Sequence, residues 1–297
     1  MDAPDRREAA ASDLSPLGER TARAESIVPP GYAQALALGD MQMAADNFQS
    51  ALCEYERALG LLVEDPNWRR ERADTHLRVA ECHRKRGGFQ EALAELARAR
   101  QGIDPEIDAD IDAKIVGRTG MIQASLGHYL AAQTNCNRAY EILRGGKDND
   151  EIGHLELALG NIFTRLGQVE RARESFQSAL FTFRRIDHRE GIARALNNLG
   201  VLLKSGPRWK EAQDYFERAL AVSEEAAHSQ RIASHCLNLG VLLTKRCDWT
   251  RSLQLLSRAL LIFREMENSS GVAKTSLALG NLKARLGQAT IARGHYE

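Results

Sequence analysis

The sequence predicts an all-α solenoid of stacked antiparallel helix pairs, on the strength of three observations. Small and large residues recur in fixed columns about forty residues apart, apolar residues inside the period follow helical spacing, and turn signals break most periods at the same place. The 297 residues could make two ordinary globular domains. A repeat array of this length forms one unit instead, because each repeat buries its apolar face against its neighbours.

The first column is small: Gly39, Ala80, Gly120, Gly160, Gly200, Gly240 and Gly280. Twelve residues further on stand Ala51, Ala92, Ala132, Ala172, Ala212, Ser252 and Ala292. Sixteen further on stand the large residues Tyr55, Leu96, Phe176, Phe216, Leu256 and Tyr296, with Cys136 in their register. An alanine column, Ala58 to Ala259, follows nineteen residues beyond the first. Helix packing explains these sizes, since two helices approach closely only where small residues cross and large ones fill the adjacent groove.

Each period reads as two helices with a turn between them. Ile152, Leu155, Leu159, Ile162, Phe163 and Leu166 recur at three- or four-residue spacing, and Phe176, Ala179, Leu180 and Phe183 continue it after Gly167. Gly87 with Gly88, Gly127, Gly206 with Pro207, and Gly287 mark the equivalent turns. Two residues after the turn comes a mostly aromatic column, Phe48, Phe89, Tyr129, Val169, Trp209 and Trp249, which reads as a buried wedge at the helix corner.

The column pattern resembles the tetratricopeptide repeat family, over residues 32 to 297 and about seven units, starting near 32, 73, 113, 153, 193, 233 and 273. The resemblance implies a right-handed superhelical solenoid. The family's usual proline late in each unit is missing, and about six extra residues separate the units, as in Asp187 to Gly191 and Glu267 to Gly271. Longer second helices are expected. The segments Gly191 to Gly200 and Gly271 to Gly280 are similar to the forty-residue-spaced arrays of polarity adaptors and bacterial signalling regulators. Residues 1–31, with Pro4, Pro16, Pro29 and Pro30 and no apolar period, are expected to form a flexible tail. Glu297 falls midway through the second helix of the seventh unit, so that unit is expected to be incomplete and the chain to be part of a longer one.

Composition narrows the function classes. Forty basic residues balance forty acidic ones, so no overall field draws the chain onto nucleic acid or an anionic membrane. Five scattered cysteines without a C-x-x-C pair argue against a disulfide framework and a zinc knuckle. With no long apolar run and no leader-like start, a cytoplasmic protein is expected.

No constellation points to catalysis or to a cofactor. Gly145 to Asp148 is the nearest thing to a phosphate loop, but Glu141 and Asp148 occupy its defining positions, and the segment reads as a helix stop. His76 with His83, and His228 with His235, lie seven apart, too far along a helix to share one ion. No enzyme activity, metal or cofactor is expected.

The resemblance does supply a groove. Carrying the family's groove-facing positions onto this sequence yields an amide set, Asn161, Asn197, Asn198, Asn238 and Asn281, and a basic set, Arg84, Lys85, Arg165, Lys204, Lys245 and Arg285. The expected function is a non-catalytic scaffold that holds a partner peptide or helix, the amides gripping its backbone and the cations its acidic side chains. Two bland readings stand beside it: the asparagines bond adjacent units to each other, and the cations complement the carbonyl ends of the helices. The alternative function is a sensory arm of a larger bacterial signalling or transcription regulator.

Overall fold

A computed structural model describes residues 29–62, 66–146 and 149–296. Most of the expected tail, and Lys147 and Asp148 of the phosphate-loop lookalike, lie outside the described residues. The described residues form fourteen α-helices and a short 3-10 turn at Pro66–Trp68, without strands. In chain order the helices are α1 Tyr32–Ala44, α2 Phe48–Leu61, α3 Arg69–Lys85, α4 Phe89–Gln101, α5 Ala109–Ser125, α6 Tyr129–Leu143 and α7 Asn149–Arg165. They continue as α8 Val169–Arg185, α9 Arg189–Leu203, α10 Trp209–Glu225, α11 Ser229–Lys245, α12 Trp249–Glu265, α13 Ser269–Arg285 and α14 Ala289–Tyr296.

Each helix packs against the next, so the chain is a stack of antiparallel pairs. Odd-numbered helices of successive units also touch each other, as α3 does α5 and α7 does α9. They therefore form the inner layer of the solenoid and the even-numbered helices the outer one. The forty-residue period has a simple cause. In the fourth and sixth units, two 17-residue helices alternate with two three-residue connections. The extra length lies in both helices of the pair, not in the second alone. Inner helices α3, α5, α7, α9, α11 and α13 begin four residues before the expected unit starts.

The sequence columns are the core. The alanine and large-residue columns of the first six units are at most 2% exposed. The small first column is what lets them in. A Cβ added to Gly39 would stand 2.4 Å from the Tyr55 ring, at Gly160 2.4 Å from Phe176, at Gly200 2.7 Å from Phe216 and at Gly240 2.8 Å from Leu256. The contact between units repeats the device: Phe183 lies within 2.7 Å of a Cβ built on Gly153 and within 2.4 Å of one built on Gly191.

Nine of the turns close in one manner. The second residue after the helix takes a left-handed φ, and the next N–H bonds back to the carbonyl five residues earlier, as in Gly88 to His83, Gln168 to Phe163 and Asn268 to Phe263. Glycine fills the left-handed place at Gly87, Gly127, Gly167 and Gly287, whereas Asp46, Asp187, Ala227, Cys247 and Glu267 hold it at a steric cost. The aromatic corner column departs from expectation. Phe48, Phe89, Tyr129, Trp209 and Trp249 are half-buried and Val169 is 48% exposed, because each is the first residue of an outer helix, where the turn leaves one side open. Trp209 uses that open side to carry the Arg246 guanidinium, 3.6 Å from its ring centroid.

Polar bonds run between neighbouring units at the same period. Tyr32 meets Thr75 at 2.9 Å, Arg70 donates to Asp108 at 2.6 Å and to Asp110 at 2.7 Å, and Arg118 grips Glu151 with two bonds at 2.8 and 3.1 Å. Burial alone would raise the Asp108 carboxyl, but Arg70, the Asp104 N–H and Arg69 outweigh it and hold it below the usual range. Two imidazoles shift toward their neutral forms. Burial, then Arg194 and Arg118, push His154 down to about 3. Burial, then Arg231, push His235 down to about 4.

Two predictions follow from packing. Gly160→Val, which drives a branched side chain into Phe176, lowers stability by about 1–3 kcal/mol in chemical denaturation. Ala227→Gly, which relieves a left-handed alanine, raises it by up to about 1 kcal/mol. A third concerns pH. His154 and His235 stay neutral in the fold and take up protons on unfolding, so stability is full above about pH 6.5 and declines as pH falls toward their folded values. Between pH 7 and pH 4.5 the native state loses about 2 kcal/mol for each of the two imidazoles, and His154→Asn with His235→Gln flattens that slope in a melting-temperature series.

Candidate functional site

The inner helices present one polar stripe each. In α7 it is His154, Ala158, Asn161 and Arg165, and in α5 it is Arg118, Met121 and Ser125. The three- and four-residue steps keep each stripe on one face, opposite the residues that pack on the outer layer. These stripes line a cavity of about 730 Å³ in the lumen of the solenoid. Its wall includes Met43 of α1 and Arg231 of α11, so the chain winds until its first unit faces its sixth.

The lining holds six cationic side chains against two carboxylates, Glu81 and Glu190. Glu81 bonds Arg84 at 2.7 and 2.5 Å and approaches Arg118 at 3.5 Å. Glu190 bonds Arg231 and lies 4.0 Å from Arg194. Burial disfavours charge on Arg194 and the adjacent Arg231 adds to that, so its pKa falls below the ordinary arginine value. Glu190 moves the other way: burial would raise it, but Arg231 and Arg194 hold it below the carboxylate range. The lumen is thus a cationic space inside a chain of zero formal net charge.

Of the eleven groove residues expected from sequence, four line this cavity, Asn161 and Arg165 among them. Asn198 joins them by donating to Asn161 Oδ1 at 3.3 Å, and Asn238 donates to Asn197 Oδ1 at 2.8 Å. The asparagine ladder therefore links adjacent units. Each amide keeps further hydrogen-bonding capacity, since these contacts use one donor or one acceptor apiece. Lys204 follows the last residue of α9, Lys245 ends α11, and the two are close enough to interact. Burial and then Lys245 lower the Lys204 pKa. Asn281 and Arg285 lie exposed on α13, away from the cavity lining. Arg84 and Lys85 also line the cavity.

Sequence reasoning passed over Arg194, Arg231 and Glu190. Arg194 occupies the second position of its unit, in register with Lys114 and His154, so the forty-residue column would have found it. Arg231 and Glu190 precede the expected unit starts and enter the lumen only because the inner helices begin early.

Asp150, His154 and His188 present ligand-type atoms within 4.8 Å of one another. Their hydrogen bonds assign a different role. Gly191 N–H donates to His188 Nδ1 at 2.9 Å, and Arg194 faces His154 Nδ1 at 3.4 Å. With Nδ1 of each ring accepting, the ring proton sits on Nε2, 3.7 Å from separate oxygens of Asp150. These nitrogens offer the carboxylate N–H groups, where a metal would need lone pairs. His76 and His235 of the sequence-level pairs bind Glu95 at 2.7 Å and Ser223 at 3.0 Å, each through Nδ1 to an outer helix. The cysteines are free, and burial pushes the thiols of Cys82 and Cys136 up to about 12 and of Cys236 up to about 11. No helix among the described residues is long and apolar enough to cross a membrane.

Comparison with known proteins accords with this architecture. Residues 151–225 match the tetratricopeptide repeat model. No curated protein matches the sequence. Among solved structures, the Rap conjugation gene regulator of plasmid pLS20, in complex with the Phr* peptide, is similar with a TM-score of 0.71 at 16% identity, over 90% of this chain and 72% of that one. The apo form of RapI is similar with a TM-score of 0.66 at 16% identity, over 89% and 94%. BtubC from P. vanneervenii is similar with a TM-score of 0.58 at 20% identity, over 70% and 85%. With its paired helices and small-against-large columns the chain has the fold of a tetratricopeptide-type solenoid, and its central units, residues 151–225, match that repeat family.

Proposed function

We propose that the chain is a non-catalytic interaction scaffold that holds a partner peptide or helix along the inner surface of its solenoid, from residue 32 onward. The observation that carries this reading is the excess of cations over carboxylates lining the lumen. A peptide with acidic side chains offsets that charge, and the spare amide capacity of Asn161, Asn197, Asn198 and Asn238 suits its backbone, with Asn281 next in the same ladder. Arg165, Lys204, Lys245 and Arg285 extend the cationic side of the groove. The likeness to a peptide-bound Rap regulator supports a peptide as the occupant.

The same likeness favours a second reading, in which the solenoid is the sensory arm of a larger regulator and the bound peptide is its signal. The two differ in what is bound besides the peptide.

Crosslinking mass spectrometry in native lysate is the test. The scaffold reading expects crosslinks between one partner segment and the inner helices α7, α9 and α11. Crosslinks confined to the outer helices overturn it, and additional crosslinks to a DNA-binding or ATPase module favour the regulatory arm. Lys204→Glu with Lys245→Glu is expected to weaken capture of that partner by about tenfold or more, equivalent to about 1.4 kcal/mol, with circular dichroism unchanged.

A further inference from the structure

The lumen brings together cations that are far apart in the chain. Arg84 and Lys85 end α3 in the second unit, whereas Arg194 and Arg231 lie within the first two turns of α9 and α11 in the fifth and sixth, and all four line one cavity. They act on each other across it. Arg84 disfavours the charge of Arg194, Lys85 favours that of Glu190, and Asp46, in the turn after α1, favours that of Arg231.

Their internal counterions do not saturate them. Glu81 is divided between Arg84 and Arg118, and Glu190 between Arg231 and Arg194. The Nε of Arg231 is buried and has no hydrogen-bond partner. Like charges between low-dielectric walls repel more strongly than on an open surface, so this cluster favours an entering anion. A carboxylate offers two oxygens that match the fork of a guanidinium.

We propose that the lumen is an oxyanion seat in which carboxylates of the bound peptide bridge Arg84 and Lys85 on one wall to Arg194 and Arg231 on the other. The inference rests on the peptide-scaffold reading and deepens it with a mechanical consequence. Repeats in a solenoid otherwise touch only their neighbours, so the pitch is the sum of small rotations that accumulate freely. A ligand held by the second, fifth and sixth units together adds a constraint across the whole turn and shifts the ensemble toward the closed form. The seat is therefore a clasp as well as a binding site.

A fluorescein-labelled hexaglutamate peptide, with hexalysine as its counterpart, tests the seat by fluorescence anisotropy. Wild-type protein is expected to bind hexaglutamate and not hexalysine. Arg194→Gln with Arg231→Gln, and separately Arg84→Gln with Lys85→Gln, are each expected to raise the dissociation constant by about tenfold or more. The second pair lies at the solvent-facing end of α3, away from the core, so it reads binding even if the first pair perturbs folding. Arg251→Gln with Arg258→Gln, on the outer helix α12, is the charge-matched control and leaves binding unchanged.

The shape is read from spin labels on Cys53 and Cys247, the two exposed cysteines, in the first and sixth units. Hexaglutamate is expected to narrow their distance distribution in the wild type and not in Arg84→Gln with Lys85→Gln. Binding lost in Lys204→Gln with Lys245→Gln but kept in both lumen pairs overturns the seat and leaves the scaffold reading intact. Absence of hexaglutamate binding, with partner crosslinks still on the inner helices, also overturns the seat alone. An unchanged distance distribution on saturation overturns the clasp.

Discussion

Everything in this molecule depends on one steric event, a large side chain of an outer helix seated where the inner helix has no Cβ. Phe176 against Gly160 and Phe216 against Gly200 set how closely each pair approaches. Phe183 between Gly153 and Gly191 sets how closely the next pair follows. With both approaches fixed, the tight left-handed closures leave three residues for most connections. Two helices and two such closures make the forty-residue repeat, and stacking such repeats makes the lumen.

Charge is distributed by the same geometry. The chain is neutral as a whole, with forty charges of each sign. The outer helices consume much of theirs in exposed pairs such as Arg218 with Asp214 and Arg258 with Glu224, which add little stability because water screens them. The inner helices behave differently. Arg118 is committed to Glu151, which is 4% exposed, so this pair is a structural tie between units. Arg194 and Arg231, sharing one carboxylate, retain unused donors facing the lumen. A neutral protein thereby acquires a cationic interior surface, the feature on which its proposed function rests.

Much of the fold was legible in residue sizes. The glycine, alanine and aromatic columns named the crossing points because close packing admits only those sizes there. The candidate site was legible in part. Asn161, Arg165, Arg84 and Lys85 stand where the family register puts them, on the lumen. The asparagines read as ligand groups also bond each other, a fact of distance between units that no single unit reveals. The corner aromatics misled because a large apolar residue at a helix start is compatible with burial and with a half-open seat for a cation, and Trp209 takes the second.

By itself the sequence determined the helix pairs, their crossing points and their forty-residue period, since these follow from helical spacing and from contacts within a unit or between adjacent ones. Only the tertiary structure decided that the first and second units face the fifth and sixth across a lumen, and that Arg231 and Glu190 point into it. The reason is physical. The pitch of a solenoid accumulates from small rotations at every interface, each set by fine packing, and residues that meet across the turn share no local pattern.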